Sequence, residues 1–328
     1  MVQSAVRTDY DGAAPDAAIA RHFAALGVEG DLRPGMKVVL KPNLVLPLKP
    51  EGAATTHPSL LIAIARWLRD RGVTDITVAD GPGGVHALAP LRAVYSACGM
   101  RQVAPYAKLN EDTRYVERTC EGGALRRFNL LRPIADADYI INVAKLKTHS
   151  MTVLSGGVKN LFGCLPGLQK PEMHMRLPDV DRFSQMLVDL ALAIRPDITV
   201  IDAVWCMEGN GPTAGVRRDY GWTLASRDVF GQDAFAASLI GLDASSVPML
   251  RRARAAGLLD QAIELAGDAP RPASPPFRLP DSAPIDFSGG LPGPLRRPAN
   301  AAMNALLKPR PIVSRDLCVG CGRCAESC

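Results

Sequence analysis

Residues 138–163 read Asp-Tyr-Ile-Ile-Asn-Val-Ala-Lys-Leu-Lys-Thr-His-Ser-Met-Thr-Val-Leu-Ser-Gly-Gly-Val-Lys-Asn-Leu-Phe-Gly. The run from Tyr139 to Val143 is rich in β-prone residues, which predicts a strand buried on both faces of a sheet. A polar segment with a glycine pair follows, and it holds Lys145, Lys147, His149, Lys159 and Asn160. Loops at the carboxyl ends of parallel strands are where α/β proteins bind ligands. We therefore interpret the segment as an anion-binding site, with a solvated basic loop as the alternative.

The composition limits the class of protein. A hydrophobic fraction of 47% and a charged fraction of 22% are those of a globular domain. The net charge of +5 over 328 residues is mild, and no basic run is interleaved with aromatic residues, so we expect no nucleic-acid partner. No apolar run approaches the ~18 residues of a membrane span, and residues 1–15 lack the apolar region of a secretory signal. We expect a cytoplasmic protein without a membrane partner.

Strands and amphipathic helices alternate along the chain, which predicts an α/β domain over residues 1–267, with a mainly parallel sheet and flanking helices. The predicted strands are 36–40, 75–80, 139–143, 197–202 and 220–226. The predicted helices are 16–26, 55–72, 88–98, 180–194, 230–240 and 248–256. A weaker β-rich region extends to Leu131.

Four of these strands end in polar residues. The residues are Lys41 with Asn43, then Asp80, Lys145 and Asp202. A single aspartate at such a position more often caps a helix. Because the carboxyl ends of parallel strands meet at one edge of the sheet, several polar groups there favour a binding site.

The polar residues receive the following candidate roles. The candidate catalytic residues are His149, Lys147 and Lys145. The candidate substrate-binding residues are Lys41, Asn43, Lys159, Asn160 and His174. His149 could serve as an acid–base group, a ligand or a simple anion contact, and His174 could instead be packed in the core.

Three carboxylates suggest a second site. Asp80, Asp202 and Glu208 could together bind a hard divalent cation through oxygen ligands. The alternative for Glu208 is a simple turn, because Asn210-Gly211-Pro212 follows it closely. The isolated Cys164 and Cys206 are interpreted as small buried hydrophobic residues.

The composition changes after Gly267. Residues 268–310 carry a proline every few positions and show no periodicity, which predicts a Pro-rich linker or an extended arm. Residues 311–328 then form a small module of their own, with the cysteines Cys318, Cys321, Cys324 and Cys328.

The spacing of these cysteines is typical of a bacterial ferredoxin motif for a 4Fe–4S cluster. Zinc is the alternative, but zinc sites usually pair two short cysteine units across a longer gap. In two-cluster ferredoxins the fourth cysteine of a motif binds the other cluster, and a proline follows it. Here the sequence stops at Cys328 without a second motif. We expect a truncated module, and the alternative is that Cys328 completes its own cluster.

The chain resembles the family catalogued as domain of unknown function 362, many members of which carry a C-terminal ferredoxin-type module. The segments that carry the resemblance are Lys41-Pro42-Asn43, Asp80-Gly81-Pro82, Asn142 to His149, Gly157 to Gly163, His174, Asp202, Met207 to Pro212 and Gln232-Asp233-Ala234. They cover most of residues 36–256. The resemblance implies an iron–sulfur protein of undetermined activity, and the missing second cysteine motif is a departure from it.

Three functional hypotheses follow. The first is an oxidoreductase whose 4Fe–4S cluster passes electrons to a small anionic substrate, or to a second cofactor, at the carboxyl edge of the sheet. The second is a non-enzymatic electron carrier or maturation factor that docks on a redox partner protein. The third is a metal-assisted hydrolase or transferase with a structural cluster. A Rossmann-type nucleotide site is not supported, because no GxGxxG follows a predicted strand.

Overall fold

The computed structural model describes residues 2–120, 123–124, 126–167, 169–259 and 262–281. The four motif cysteines and residues 282–310 of the predicted arm lie outside these residues.

The described elements alternate between strands and helices. The strands are β1 (Val2–Arg7), β2 (Lys37–Pro42), β3 (Asp75–Val78), β4 (Lys108–Leu109), β5 (Tyr115–Thr119), β6 (Arg127–Leu131), β7 (Tyr139–His149), β8 (Val153–Ser155), β9 (Ile198–Glu208), β10 (Val216–Ser226) and β11 (Glu264–Gly267). The α-helices are α1 (Ala14–Ala25), α2 (Pro58–Arg69), α3 (Leu88–Ala97), α4 (Arg132–Ala135), α5 (Gly157–Asn160), α6 (Gln169–Arg176), α7 (Val180–Ile194), α8 (Val229–Leu239) and α9 (Pro248–Ala255).

Nine of the described strands form one mixed sheet. Its order is β11-β1-β10-β9-β7-β2-β3-β4, with β8 paired to β7. The pairs within β9-β7-β2-β3-β4 and the pair β1-β11 are parallel, whereas β10 runs antiparallel to both of its neighbours. Strands β5 and β6 form a separate antiparallel pair. The predicted fold class, a mixed α/β domain with a mainly parallel sheet, is confirmed.

Hydrophobic cores lie on both faces of the sheet. Helices α1, α2 and α3 cover one face, and helices α7, α8 and α9 cover the other. Neighbouring residues of β7 enter opposite cores. Ile140 packs in the core beside α7, α8 and α9, and Ile141 packs in the core beside α1, α2 and α3. This is the alternation expected of a strand that is buried on both sides.

Strand β7 is longer than the sequence predicts. The expected strand ends at Val143, but the observed strand continues to His149, and every residue in it is buried. The last part is held by β8, where Lys147 pairs with Ser155, and by β9, where Lys145 pairs with Asp202. The interpretation of Lys145 and Lys147 as loop residues is therefore wrong. A solvated basic loop is also wrong for these two lysines, because each is only 1% exposed.

Strand β9 also runs further than predicted and reaches Glu208, so this residue ends a strand rather than forming a turn. The N-terminal strand β1 was not predicted. It lies between β10 and β11, and its core-facing residues include the polar Gln3 and Ser4, which weaken the hydrophobic signal.

Residues 268–281, the described part of the predicted arm, lie against the domain in extended form. Ala273 N donates to Leu239 O at 2.7 Å, and Phe277 N donates to Ile240 O at 3.0 Å. The segment thus follows the end of α8. Among the described residues, no helix combines the length and the apolar character needed to cross a bilayer.

Candidate anion-binding site

Lys41 and Asp80 form a buried ion pair at the carboxyl edge of the sheet. Lys41 Nζ donates to Asp80 Oδ1 and to Pro42 O, both at 2.6 Å. The other oxygen of Asp80 accepts from Leu44 N at 3.0 Å. A Cβ at Gly163 would lie 2.1 Å from Asp80 Oδ1, so only glycine lets the chain pass this pair. The charge of Lys41 is balanced within the protein.

A chain of amide side chains joins this pair to the centre of the sheet. Asn160 Oδ1 accepts from Lys41 Nζ at 3.2 Å and from Asn43 Nδ2 at 2.9 Å. Asn160 Nδ2 donates to Asn142 Oδ1 at 2.8 Å. Helix α5, which carries Asn160, is thereby fixed to β2 and β7. The candidates Lys41, Asn43 and Asn160 do lie together, as the sequence predicts.

Helix α5 is held at its other end by Asp233. The carboxylate accepts from Gly157 N at 2.6 Å and from Val158 N at 3.0 Å. A Cβ at Gly156 would come within 2.3 Å of Asp233 Oδ1, which explains the glycine at this position. Burial raises the pKa of Asp233 to about 7. This residue positions α5 and, with it, Lys159.

A second buried ion pair joins Lys145 to Asp202. These residues are direct neighbours in the parallel register of β7 and β9, and Lys145 Nζ donates to Asp202 Oδ2 at 2.9 Å. Tyr10 OH donates to Asp202 Oδ1 at 2.5 Å and accepts from Lys145 Nζ at 3.0 Å. His57 N donates to the same carboxylate at 2.9 Å. The carboxylate is thus saturated, and burial beside it raises the pKa of Tyr10 well above its usual value.

Among the residues that the structure describes, Lys147 is buried without an acidic partner. Its Nζ donates to Asn43 Oδ1 at 2.8 Å and to Ala54 O at 2.7 Å, and both acceptors are neutral. Burial, and then the charges of Lys159 and Lys145, lower the pKa of Lys147 well below its usual value. A bound anion would reverse this shift by supplying the missing negative charge.

His149 ends strand β7 next to this lysine. Its Nδ1 accepts from Met151 N at 3.1 Å and from Thr152 N at 3.3 Å, which assigns the ring hydrogen of a neutral imidazole to Nε2. Burial, followed by the charges of Lys159 and Lys147, lowers the pKa of His149 well below its usual value. The neutral ring therefore offers a hydrogen-bond donor to a ligand.

Two further lysines lie on α5 and α6. Lys159 is half-buried, and its Nζ lies 5.4 Å from the centroid of the Phe162 ring and 5.9 Å from that of Phe183. Burial, with a contribution from Lys170, lowers the pKa of Lys159 to about 7. Burial also lowers the pKa of Lys170 to about 8. Neither ammonium forms a hydrogen bond or an ion pair with another described residue.

His174 packs against the aromatic residues beside this group. Its ring stacks on Phe183 with centroids 4.4 Å apart, and it meets Phe162 edge-on at 5.6 Å. Burial and the charges of Lys159 and Lys170 lower its pKa to about 3. The packed-histidine alternative thus describes His174 well, although its Nδ1 has no hydrogen-bond partner among the described residues.

We refer to Lys147, His149, Lys159 and Lys170 as the basic cluster. The charge of Lys159 lowers the pKa of Lys147 and of His149, and the charge of Lys170 lowers the pKa of Lys159. Among the described residues, Asp80 is the carboxylate whose charge favours protonation of Lys147 and Lys170, and Asp80 is already paired with Lys41. The basic cluster thus groups side chains whose protonated forms lack a free counter-ion among the described residues, and a small anion would supply one.

The carboxylates proposed as a second metal site are not brought together. Asp80 pairs with Lys41, Asp202 with Lys145, and Glu208 with Arg218 and Arg278 at 2.9 and 2.8 Å. Within the described ranges, no three His, Cys, Asp or Glu side chains are grouped so that they could hold a metal ion. Sequence spacing gave no warning, because Asp80 does follow a strand. Asp202 was predicted to end a strand but lies within β9, which continues to Glu208.

Some residues of this edge were missed by sequence reasoning. Tyr10 has no local signal, because it lies in a loop far from the strands that it joins. His57 was noticed only as the start of α2, and there its Nδ1 indeed accepts from Ser59 N. Its ring also stacks on Tyr10 with centroids 3.7 Å apart. Lys170 was not noticed, although its proximity to His174 in sequence could have drawn attention to it.

A groove of about 710 Å³ lies elsewhere, at the opposite edge of the sheet. Its lining includes Val2, Leu26, Leu192 and Phe230 and none of the basic cluster. Val2 pairs with Glu264 at the start of the parallel strands β1 and β11. Residues Lys147 and His149 of the site lie at the carboxyl end of β7. The groove has no part in the site described here.

Comparison with known proteins identifies the family. Residues 38–238 match the family described as domain of unknown function (DUF362). The chain belongs to this family. It is also 34% identical over 282 residues to the thylakoid-associated protein sll1697 of Synechocystis sp., covering 82% of this chain and 84% of that protein. The family resemblance predicted from the motifs is confirmed.

A solved structure with partial similarity is the lactate racemase apoprotein from Thermoanaerobacterium thermosaccharolyticum. The sequences are 13% identical, and the TM-score is 0.39 over 66% of this chain and 54% of that chain. The similarity is too low to bear on the site or on its chemistry.

Proposed function

We propose that this protein is an iron–sulfur oxidoreductase that binds a small anion at the basic cluster and exchanges electrons with it through a 4Fe–4S cluster. The observation that carries the proposal is the environment of Lys147. A lysine that is buried and bonded only to neutral acceptors costs free energy, unless an anion offsets its charge. A carboxylate or phosphate group has the charge and the acceptor oxygens for this role.

The iron–sulfur part of the proposal rests on the sequence. The motif Cys318-x2-Cys321-x2-Cys324-x3-Cys328 has the spacing with which thiolates bind a 4Fe–4S cluster. The cluster would supply one-electron transfer, and a redox partner protein would exchange electrons with it. An expected location in the cytoplasm is part of the same proposal, and the name of the Synechocystis relative raises attachment to a membrane surface as its alternative.

The residues of the basic cluster would bind the anion and move a proton. Lys147 and Lys170 would contact its oxygens, because both gain stability as cations when an anion approaches. His149 would donate from Nε2, since its Nδ1 is already occupied by two backbone N–H groups. A proton needed by a reduced substrate would come from His149 or from a neighbouring lysine.

The two other hypotheses receive less support. An electron carrier or maturation factor that only docks a partner needs no buried, uncompensated lysine, because exposed charges are sufficient to steer encounter. A metal-assisted hydrolase needs carboxylates that are free to bind a cation, and Asp80, Asp202 and Glu208 each bind a basic side chain instead. A divalent cation at this edge is therefore not part of the proposal.

The anion site is tested by calorimetric titration with oxalate and with phosphate. Lys147→Met should weaken binding by roughly ten- to a hundredfold, as expected when a charge-assisted hydrogen bond of about 1.5–3 kcal/mol is lost. Lys108→Met is the matched control, because Lys108 is an exposed lysine on the same sheet, and it should leave the affinity unchanged. Equal affinities for Lys147→Met and the parent protein would overturn the site.

The cluster is tested separately on anaerobically reconstituted protein. We expect iron and acid-labile sulfide, a broad charge-transfer absorbance and an EPR signal on reduction. Cys321→Ser should lower the iron and sulfide content, whereas Cys206→Ser, at a buried cysteine of the sheet, should not. Unchanged metal content in Cys321→Ser would contradict the iron–sulfur assignment.

A further inference from the structure

We propose that Lys159 is a nucleophile that forms an imine with a small carbonyl compound bearing a carboxylate, such as a 2-oxo acid or glyoxylate. This inference rests on the proposed anion site and names the substrate class of that site. It assigns different tasks to the lysines: Lys147 and Lys170 bind the carboxylate, and Lys159 attacks the carbonyl carbon.

The first support is the lack of a partner for the Lys159 nitrogen. Lys41, Lys145 and Lys147 each donate to two or more acceptors, so their nitrogens are fixed. Lys159 Nζ donates to no other described residue, and its side chain is half-buried rather than sealed in the core. Lys159, like Lys170, thus combines a half-buried side chain with a nitrogen that has no hydrogen-bond acceptor among the described residues.

The second support is the surroundings of Lys159. The Nζ of Lys159 lies beside the edge-to-face pair formed by Phe162 and Phe183, and the charge of Lys170 lowers the pKa of this lysine. An apolar wall and nearby positive charge both favour the neutral amine, which is the nucleophilic form. The lowering of the pKa of Lys159 to about 7 agrees with this geometry.

The third support is the fixed position of the amine. Lys159 is carried by α5, which Asp233 holds at its N-terminus and which Asn160 ties to β2 and β7. Lys159 lies near enough to Lys147 and His149 for its charge to lower the pKa of each. A compound with a carboxylate beside its carbonyl group could thus meet a cation and the amine together.

The reaction balances without an oxidant or reductant. The lone pair of Lys159 Nζ attacks the carbonyl carbon and forms a C–N bond as the C=O π bond breaks, and one N–H proton passes to the carbonyl oxygen. The resulting hydroxyl group accepts a hydrogen bond from His149 Nε2–H. It then takes the second N–H proton and leaves as water, and a C=N bond remains. The net change is amine plus carbonyl to imine plus water.

The test is reductive trapping of the full-length protein with glyoxylate and cyanoborohydride, followed by peptide mass mapping. We expect selective labelling of the peptide that contains Lys159, suppression of this label by excess oxalate, and no such label in Lys159→Arg. Labelling should rise as pH passes about 7, whereas exposed lysines with pKa near ~10.4 should require higher pH. Circular dichroism checks that the variant is folded.

The outcomes separate this inference from the proposed function. Oxalate binding without selective, oxalate-sensitive labelling of Lys159 would overturn the imine and leave the anion site standing. Selective labelling of Lys147 or Lys170 would also overturn the assignment to Lys159. Absence of oxalate and phosphate binding would overturn the proposed function itself. Because peptide mapping is performed on the unaltered protein, the test does not depend on the variant folding.

Discussion

The carboxyl edge of the sheet contains two regions in which buried lysines have different hydrogen-bond partners. In the paired region, Lys41 meets Asp80 and Lys145 meets Asp202. In the basic cluster, Lys147 is as deeply buried as they are but meets only neutral acceptors. The same residue type at the end of neighbouring strands thus has two different environments.

This difference in partners suggests that the paired region stabilises the fold and that the basic cluster binds a ligand. In the paired region the protein supplies both charges, so removing either partner leaves the other buried and uncompensated. In the basic cluster the described residues supply basic groups without a free carboxylate, and the proposed anion would supply the negative charge. Stability should therefore depend mainly on the paired region, and ligand binding mainly on the basic cluster.

The largest effect is expected when a pair is broken. Asp202→Asn leaves Lys145 buried without its carboxylate, and we expect a loss of about 3–5 kcal/mol in the free energy of unfolding, measured with urea. Asp80→Asn should act similarly through Lys41. Asp75→Asn is the matched control, because Asp75 bonds to Lys108 at the surface and such a pair contributes about 1 kcal/mol or less. A small effect of Asp202→Asn would remove the basis of the comparison.

A smaller effect is expected from changing lysines two positions apart on β7. Lys145→Met strands the Asp202 carboxylate and should destabilise about as strongly as Asp202→Asn. Lys147→Met strands only two neutral acceptors, at a cost of about 1–3 kcal/mol, and removes the penalty of a buried charge. We therefore expect Lys147→Met to unfold at a higher urea concentration than Lys145→Met. The reverse order would place Lys147 among the structural lysines.

The last effect concerns pH, and it is the smallest per unit of pH because it is spread over a wide window. The pKa of Lys159 is about 7 in the folded protein and ~10.4 when unfolded, so between these values the unfolded chain binds more protons. The free energy of unfolding should consequently rise with pH over this window, by less than about 1.4 kcal/mol per pH unit for one group. Lys159→Met should show a shallower rise in parallel urea titrations. If the free energy of unfolding rose equally steeply with pH in both proteins, the pKa of Lys159 would not be lowered in the folded state.

Much of the fold could be predicted because its signals are local. The helical spacing of apolar residues in α7 and the caps at its ends occupy adjacent turns, and its predicted bounds match the observed Val180–Ile194. The strands around Val39 and Ile76 were found for the same reason. By contrast, the extension of β7 through Lys145 and Lys147 has no local signal, since lysine normally indicates solvent. It is stabilised by partners on β8 and β9.

The candidate site was found at the right edge but with the wrong grouping. The sequence placed Lys41, Asp80, Lys145 and Asp202 at strand ends, and the topological rule for parallel strands correctly brought them to one edge. It then assigned Lys41 to substrate binding, Lys145 to catalysis and the carboxylates to a metal. The structure instead pairs them with one another, which leaves Lys147, His149, Lys159 and Lys170 as the group without acidic partners.

The sequence alone determined the central alternation of strands and helices, the family and the edge at which polar residues meet, because each depends on short-range patterns or on motifs. Only the tertiary structure decided which lysine is neutralised. Lys145 faces Asp202, which is 57 residues away, because β7 and β9 are adjacent in a particular register. Lys147 lies two positions further along, where no carboxylate is within reach of its nitrogen among the described residues. Charge compensation acts over a few ångströms, and such distances between remote residues exist only once the sheet has formed.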